Sequence, residues 1–79
     1  MENVMFLYCL YDTVSKQFAP SFEQPNDPSA VRMFKNMCRQ DSSISPSDYE
    51  LYSLGSIKRV GDAGAIEVIG HTRKVEVDL

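Results

Sequence analysis

The spacing of apolar residues changes twice along this chain. From Val4 to Tyr11 both alternating sides are apolar: Val4, Phe6, Tyr8 and Leu10 fall on one, Met5, Leu7, Cys9 and Tyr11 on the other. A strand apolar on both sides belongs in the middle of a sheet with both faces covered. One helix in a short chain covers a single face well, so the second face points to a dimer partner or a ligand. Asp12 to Gln17 is polar and reads as a turn. Phe18 to Gln24 is interrupted by Pro20, which has no N–H to give a central ladder, and reads as a short edge strand.

The spacing then becomes helical. Asp27 suits an N-cap and Pro28 the first helical position, where a missing N–H costs nothing. Ala30, Val31, Phe34, Met37 and Cys38 form one apolar stripe, with Arg32, Lys35, Asn36 and Arg39 on the opposite side. The helix should stop near Gln40 to Asp41, before a polar loop from Ser42 to Ser47 that contains Pro46. Tyr49 to Ile57 reads as a strand in which Gly55 marks a bulge or a close backbone approach. Gly61-Asp62-Ala63-Gly64 is a hairpin turn, and Ala65 to Ile69 resumes strand. Beyond Gly70 the tail alternates, with Arg73, Val75, Val77 and Leu79 on one side and Thr72, Lys74, Glu76 and Asp78 on the other. It should be strand as well, at a sheet edge or against a second chain. The order strand, strand, helix, strand, strand, with room for a fifth strand, predicts an α+β fold. Its simplest form is a small antiparallel sheet of four to five strands with one helix across a face.

Length narrows the picture. With 79 residues, positions 1–79 make a single domain. Such a domain buries only about 60–65% of the surface its unfolded chain exposes, so its core is thin. Small chains usually lean on disulfides, a metal or a partner subunit. Two cysteines make no dense disulfide framework. Cys9 and Cys38 read as reduced and buried, with a single bridge between them left open. The apolar N-terminus lacks a basic leader and a small-residue cleavage site, and no run reaches the ~18 apolar residues of a membrane span. A soluble intracellular protein without a membrane partner is expected, with self-association as its extra support.

Candidate chemistry is sparse. His71 is the only histidine, and with Cys9 and Cys38 it supplies three scattered ligands where zinc needs about four. No metal or cofactor is expected. Both thiols sit in apolar settings that suit a nucleophile poorly, and the carboxylates Asp48 and Glu50 read as a solvated strand edge. No phosphate-binding glycine motif occurs. The net charge of −3, from 8 basic and 11 acidic residues, argues against a polycationic DNA coat. The best local feature is the helix side of Arg32, Lys35 and Arg39. It is either an ordinary solvated face or a phosphate-contacting ridge. Lys58-Arg59 and Arg73-Lys74 are two more basic pairs, expected near the same end of neighbouring strands. Tyr8, Tyr11, Tyr49 and Tyr52 either pack in the core or an interface, or stack bases on an open sheet face, Tyr8 and Tyr52 being the candidates.

Several blocks carry a family resemblance. They are Leu7-Tyr8-Cys9-Leu10-Tyr11-Asp12, Phe18-Ala19-Pro20-Ser21-Phe22, Asn26-Asp27 leading to Ala30-Val31-Arg32-Met33-Phe34, and Pro46-Ser47-Asp48-Tyr49-Glu50-Leu51-Tyr52-Ser53-Leu54-Gly55. In that order and spacing, residues 6 to 57 resemble the small nonstructural protein of gokushoviruses, phages of the family Microviridae with circular single-stranded DNA genomes. The resemblance implies a non-enzymatic, DNA-binding or replication-associated protein of the infected bacterial cytoplasm. Its action would fall where the phage turns from double-stranded replication to single-stranded genomes for packaging. It supplies no catalytic residues and no assigned DNA contacts.

Two functions follow. One is a homodimeric accessory protein for single-stranded DNA, with Arg32, Lys35, Arg39, Lys58, Arg59, Arg73 and Lys74 on phosphates and Tyr8 or Tyr52 on bases. The other is a module that binds a phage or host replication or capsid protein and never touches DNA. An enzyme has no constellation to support it.

Overall fold

A computed structural model describes residues 4–61 and 64–78. Its elements are β1 (Met5–Asp12), β2 (Gln17–Phe18), β3 (Phe22–Gln24), α1 (Asp27–Gln40), β4 (Tyr49–Val60), β5 (Ala65–Ile69) and β6 (Arg73–Val75). All strand pairings are antiparallel, and β1 and β4 form the central pair. The fold is α+β, as the sequence predicts, with six strands among the described residues in place of four to five.

The extra strands arise because the chain breaks at both outer edges. The expected edge strand divides around Pro20 into β2 and β3, and both pieces pair with β1. Pro20 lacks the N–H that would continue the ladder. On the other side β5 pairs with one half of β4 and β6 with the other. The tail therefore pairs within its own chain. The two halves meet at Gly55 and Gly70, which have φ of +130° and +125°. Gly55 sits at a bulge: Leu7 faces Gly55 but Tyr8 faces Ser53, leaving Leu54 as the additional residue. A Cβ on Gly55 would lie 2.5 Å from the Ile69 carbonyl oxygen. The hairpin turn expected at residues 61–64 is bounded by Gly61 and Gly64, both with positive φ. Its Asp62 and Ala63, like Leu79 in the tail, lie outside the described residues.

The helix starts one residue earlier than expected. Asn26 is the N-cap, and its side chain accepts from the Ser29 N–H at 2.9 Å. That frees the Asp27 carboxylate, now in the first turn, for other partners. Asp41 closes the other end.

The helix packs on one face of the sheet. Tyr8, Leu10, Leu51 and Val75 from the strands meet Ala30 and Phe34 from the helix, with Phe6, Phe22, Met37 and Cys38 around them. Register puts Met5, Leu7, Cys9 and Tyr11 on the opposite face with Tyr52, Ile57 and Val68. Cys9 and Cys38 are both free thiols. They belong to opposite sides of the sheet, which is why no bridge forms.

Candidate nucleic-acid interface

The expected DNA contacts divide between two surfaces. On the helix, 3.6-residue spacing turns Arg32, Lys35 and Arg39 away from Ala30 and Phe34; Arg32 and Arg39 are exposed and Lys35 is half-buried. None of the three has an ion-pair partner among the described residues. Arg39 makes a weak 3.4 Å contact with Asn36 and also sits in the last helical turn, where the dipole favours a cation. Lys35 and Arg39 border an open cleft of about 340 Å³ whose other walls are Cys38, Pro46 and Asp78. Burial pushes the Cys38 thiol pKa up, which keeps it protonated and poorly nucleophilic.

The other basic pairs are largely engaged. Adjacent strand residues point to opposite faces, so neither pair acts as a unit. Arg73 lies on the helix side and grips Asp27 through both carboxylate oxygens, at 3.0 and 2.8 Å. Arg59, on the open face, reaches across to Glu23 at 2.9 Å. Lys74 binds Glu50 at 3.1 Å. Lys58 is exposed and stands opposite Glu67, with no ion pair among the described residues. The two pairs also fail to meet at one end, because β5 and β6 lie along different halves of β4: Arg73 faces Ser53, five residues before Lys58.

The tyrosines divide in the same way. Tyr8 is completely buried on the helix side, so the expectation that it stacks a base is corrected. Its ring lies 5.9 Å from that of Phe22, and its hydroxyl donates to Asp27 Oδ1 at 2.7 Å. Burial, reinforced by the Asp27 charge, pushes its phenol pKa well up. Burial alone would raise the Asp27 pKa, but the Tyr8 hydrogen bond and Arg73 outweigh it and hold this carboxyl below its usual range. Tyr8, Asp27 and Arg73 thus tie the first strand, the helix start and the last strand together. Tyr49 packs near Phe34 in the core.

Tyr52 does face the open side. Its hydroxyl donates to Glu50, which Lys74 also holds, and the lysine keeps that carboxyl below its usual range. Next to it the structure adds a ring that the sequence reading passed over. Phe18 is 66% exposed, with its ring centroid 4.7 Å from Tyr11 and 6.4 Å from Tyr52. The signal was present in the short turn: Thr13 to Lys16 brings Phe18 directly opposite Tyr11, and opposite residues share a face.

Among the described residues, no three His, Cys, Asp or Glu side chains gather as a metal site, and no helix is long and apolar enough to cross a membrane. A family model, Phage ORF5 protein, matches residues 5–69. The chain belongs to that phage protein family. The Phage ORF5 match runs from β1 through β5, so it takes in the helix ridge and most of the open face. Arg73 and Lys74 lie beyond it. No curated protein and no solved structure matches the chain.

Proposed function

We propose that this phage protein is a non-enzymatic accessory factor that binds single-stranded DNA through the outer side of α1. It would act in the cytoplasm of the infected bacterium during genome replication or the switch to single-stranded synthesis, as the resemblance to gokushovirus nonstructural proteins of the Microviridae implies. One observation carries the reading. Arg32, Lys35 and Arg39 stand together on one helix side without ion pairs among the described residues, whereas Arg59, Arg73 and Lys74 are each held by a carboxylate. Phosphates can reach the ridge without displacing an acid. A contact of this size suits a weak, salt-sensitive binder, in keeping with the net charge of −3.

The test is fluorescence anisotropy of a labelled single-stranded oligonucleotide across a salt series. Three phosphates neutralised should give a slope of log K against log salt of about −2, at ~0.7 per phosphate. Reversing Arg32, Lys35 and Arg39 to Glu should weaken binding at least tenfold and flatten the slope while the circular dichroism spectrum stays the same. Unchanged affinity in that variant would overturn the reading.

The engaged cations favour a second reading, a module that binds a phage or host replication or capsid protein without DNA contact. Absence of oligonucleotide binding by the native protein at low salt would make it the better account.

A further inference from the structure

Among the described residues, no element covers the face of the sheet opposite α1. Leu7, Cys9, Phe18, Tyr52, Ile57 and Val68 share it. Phe18 is two-thirds exposed and Val68 40% exposed, while Cys9 at the centre is already buried. Among the described residues, the paired charges of this face stand at its margins. Glu23 and Arg59 close one end, and Glu50 and Lys74 lie towards the other, on either side of the apolar middle. An apolar, aromatic-rich centre with a polar rim is the anatomy of a protein interface.

We infer that a second copy of this chain covers this face, making a two-fold dimer in which two sheets pack against each other and the helices lie outside.

Three observations select that occupant. The first is charge. Each chain carries −3, yet every cation paired on this face has its carboxylate beside it, so the face is close to neutral. It neither repels a copy of itself nor attracts a polyanion. Each rim pair holds one charge of each sign, so a two-fold rotation can bring a cation of one copy opposite a carboxylate of the other. The second is area. Four strands wide and eight residues long, the face measures about 19 by 26 Å at ~4.8 Å between strands and ~3.3 Å per residue. That is about 500 Å² in plan, just under the roughly 600–1,000 Å² per partner of a stable interface, so a matching copy of the same face suits a dimer that forms only at raised concentration. The third is arrangement. Sheets stack about 10 Å apart, which leaves both helix ridges on the outer layers and open to solvent. The dimer is therefore independent of DNA binding, and either reading stands if the other fails.

Sedimentation velocity of the purified chain from micromolar to millimolar concentration tests the inference. The native protein should shift from monomer to dimer within that range. Phe18→Asp and Val68→Glu change side chains that are already exposed, so the fold should hold by circular dichroism. Each should raise the dimer dissociation constant at least tenfold. The ridge variant with Arg32, Lys35 and Arg39 reversed to Glu should dimerise as the native chain does. A native monomer at millimolar concentration overturns the inference. So does a dimer indifferent to both face variants. A monomer whose affinity for a labelled oligonucleotide falls with Phe18→Asp would assign the face to DNA and overturn it equally.

Discussion

At the scale of single residues, two positions have their roles set by neighbours distant in sequence. Gly55 combines a φ of +130° with a backbone oxygen 2.5 Å from where a Cβ would stand. Alanine there meets both conformational strain and a clash that no rotamer relieves. Gly55→Ala should lower stability by about 2–4 kcal/mol in urea melts, strain alone being worth ~1–3; a loss under ~0.5 kcal/mol would contradict the close approach. Asp27 is the second. Its folded pKa lies below the ordinary value of 3.8, so the stabilisation it brings is complete above that pH and fades as pH falls through the folded value. Asp27→Asn should therefore be less stable than the native chain at neutral pH, with the gap narrowing below about pH 3.8. Thermal melts at pH 7, 4 and 3 would show it, and a gap constant with pH would contradict it. Asp27 was legible as a helix-start residue, but its partners were not. Tyr8 and Arg73 lie 19 and 46 positions away, and local pattern carries no information on such pairs.

At the scale of elements, apolar period located β1, β4 and α1 because each packs one side on a shared core, whereas the exposed β2 and β5 left their mark only in the turn residues beside them. The divided apolar sides of β1 and the stripe of α1 are both found as read. Boundaries were harder. The helix cap moved to Asn26 because its oxygen, one residue back, reaches the Ser29 N–H; Asn26→Ala should cost about 1 kcal/mol, measured by denaturant midpoint. β4 runs to Val60 rather than Ile57, since Val60 pairs with Ala65 across the turn and ladder hydrogen bonds override the polar Lys58-Arg59. The candidate site was legible to the same extent. Helical spacing alone placed Arg32, Lys35 and Arg39 on one side. The ion pairs of Arg59, Arg73 and Lys74 were hidden, because sheet register decides them. Phe18 was missed because Pro20 drew the reading towards a single weak edge strand.

At the scale of the whole molecule, the chain is elongated, 40 by 26 by 21 Å, and its two faces differ in character. One side carries the helix, whose cations hold no ion pair among the described residues; the other is apolar with a neutral rim. This separation gives a prediction about salt. DNA binding by the ridge should weaken as salt rises, by about 0.7 in log K per phosphate for each tenfold change. Association through the apolar face should be almost insensitive to salt, or slightly strengthened by sulfate, which is excluded from protein surfaces. Anisotropy and sedimentation on one salt series would distinguish the two; parallel salt dependence would mean a single surface serves both.

The central pairing also sets the order of events in time. β1 ends and β4 begins where the Thr13 backbone and hydroxyl both donate to the Asp48 carbonyl, across 35 positions of chain. The β4–β5 hairpin is local, and such hairpins close in about 1–10 μs. The β1–β4 ladder has to wait for a long loop, the slow class of contact. On the ribosome, at about 5–20 residues per second, β4 follows β1 by roughly 2–7 s. For that interval a strand apolar on both sides has only the short β2 and β3 as partners. The strand that anchors the finished sheet is thus the segment most exposed to misassociation while the chain is being made.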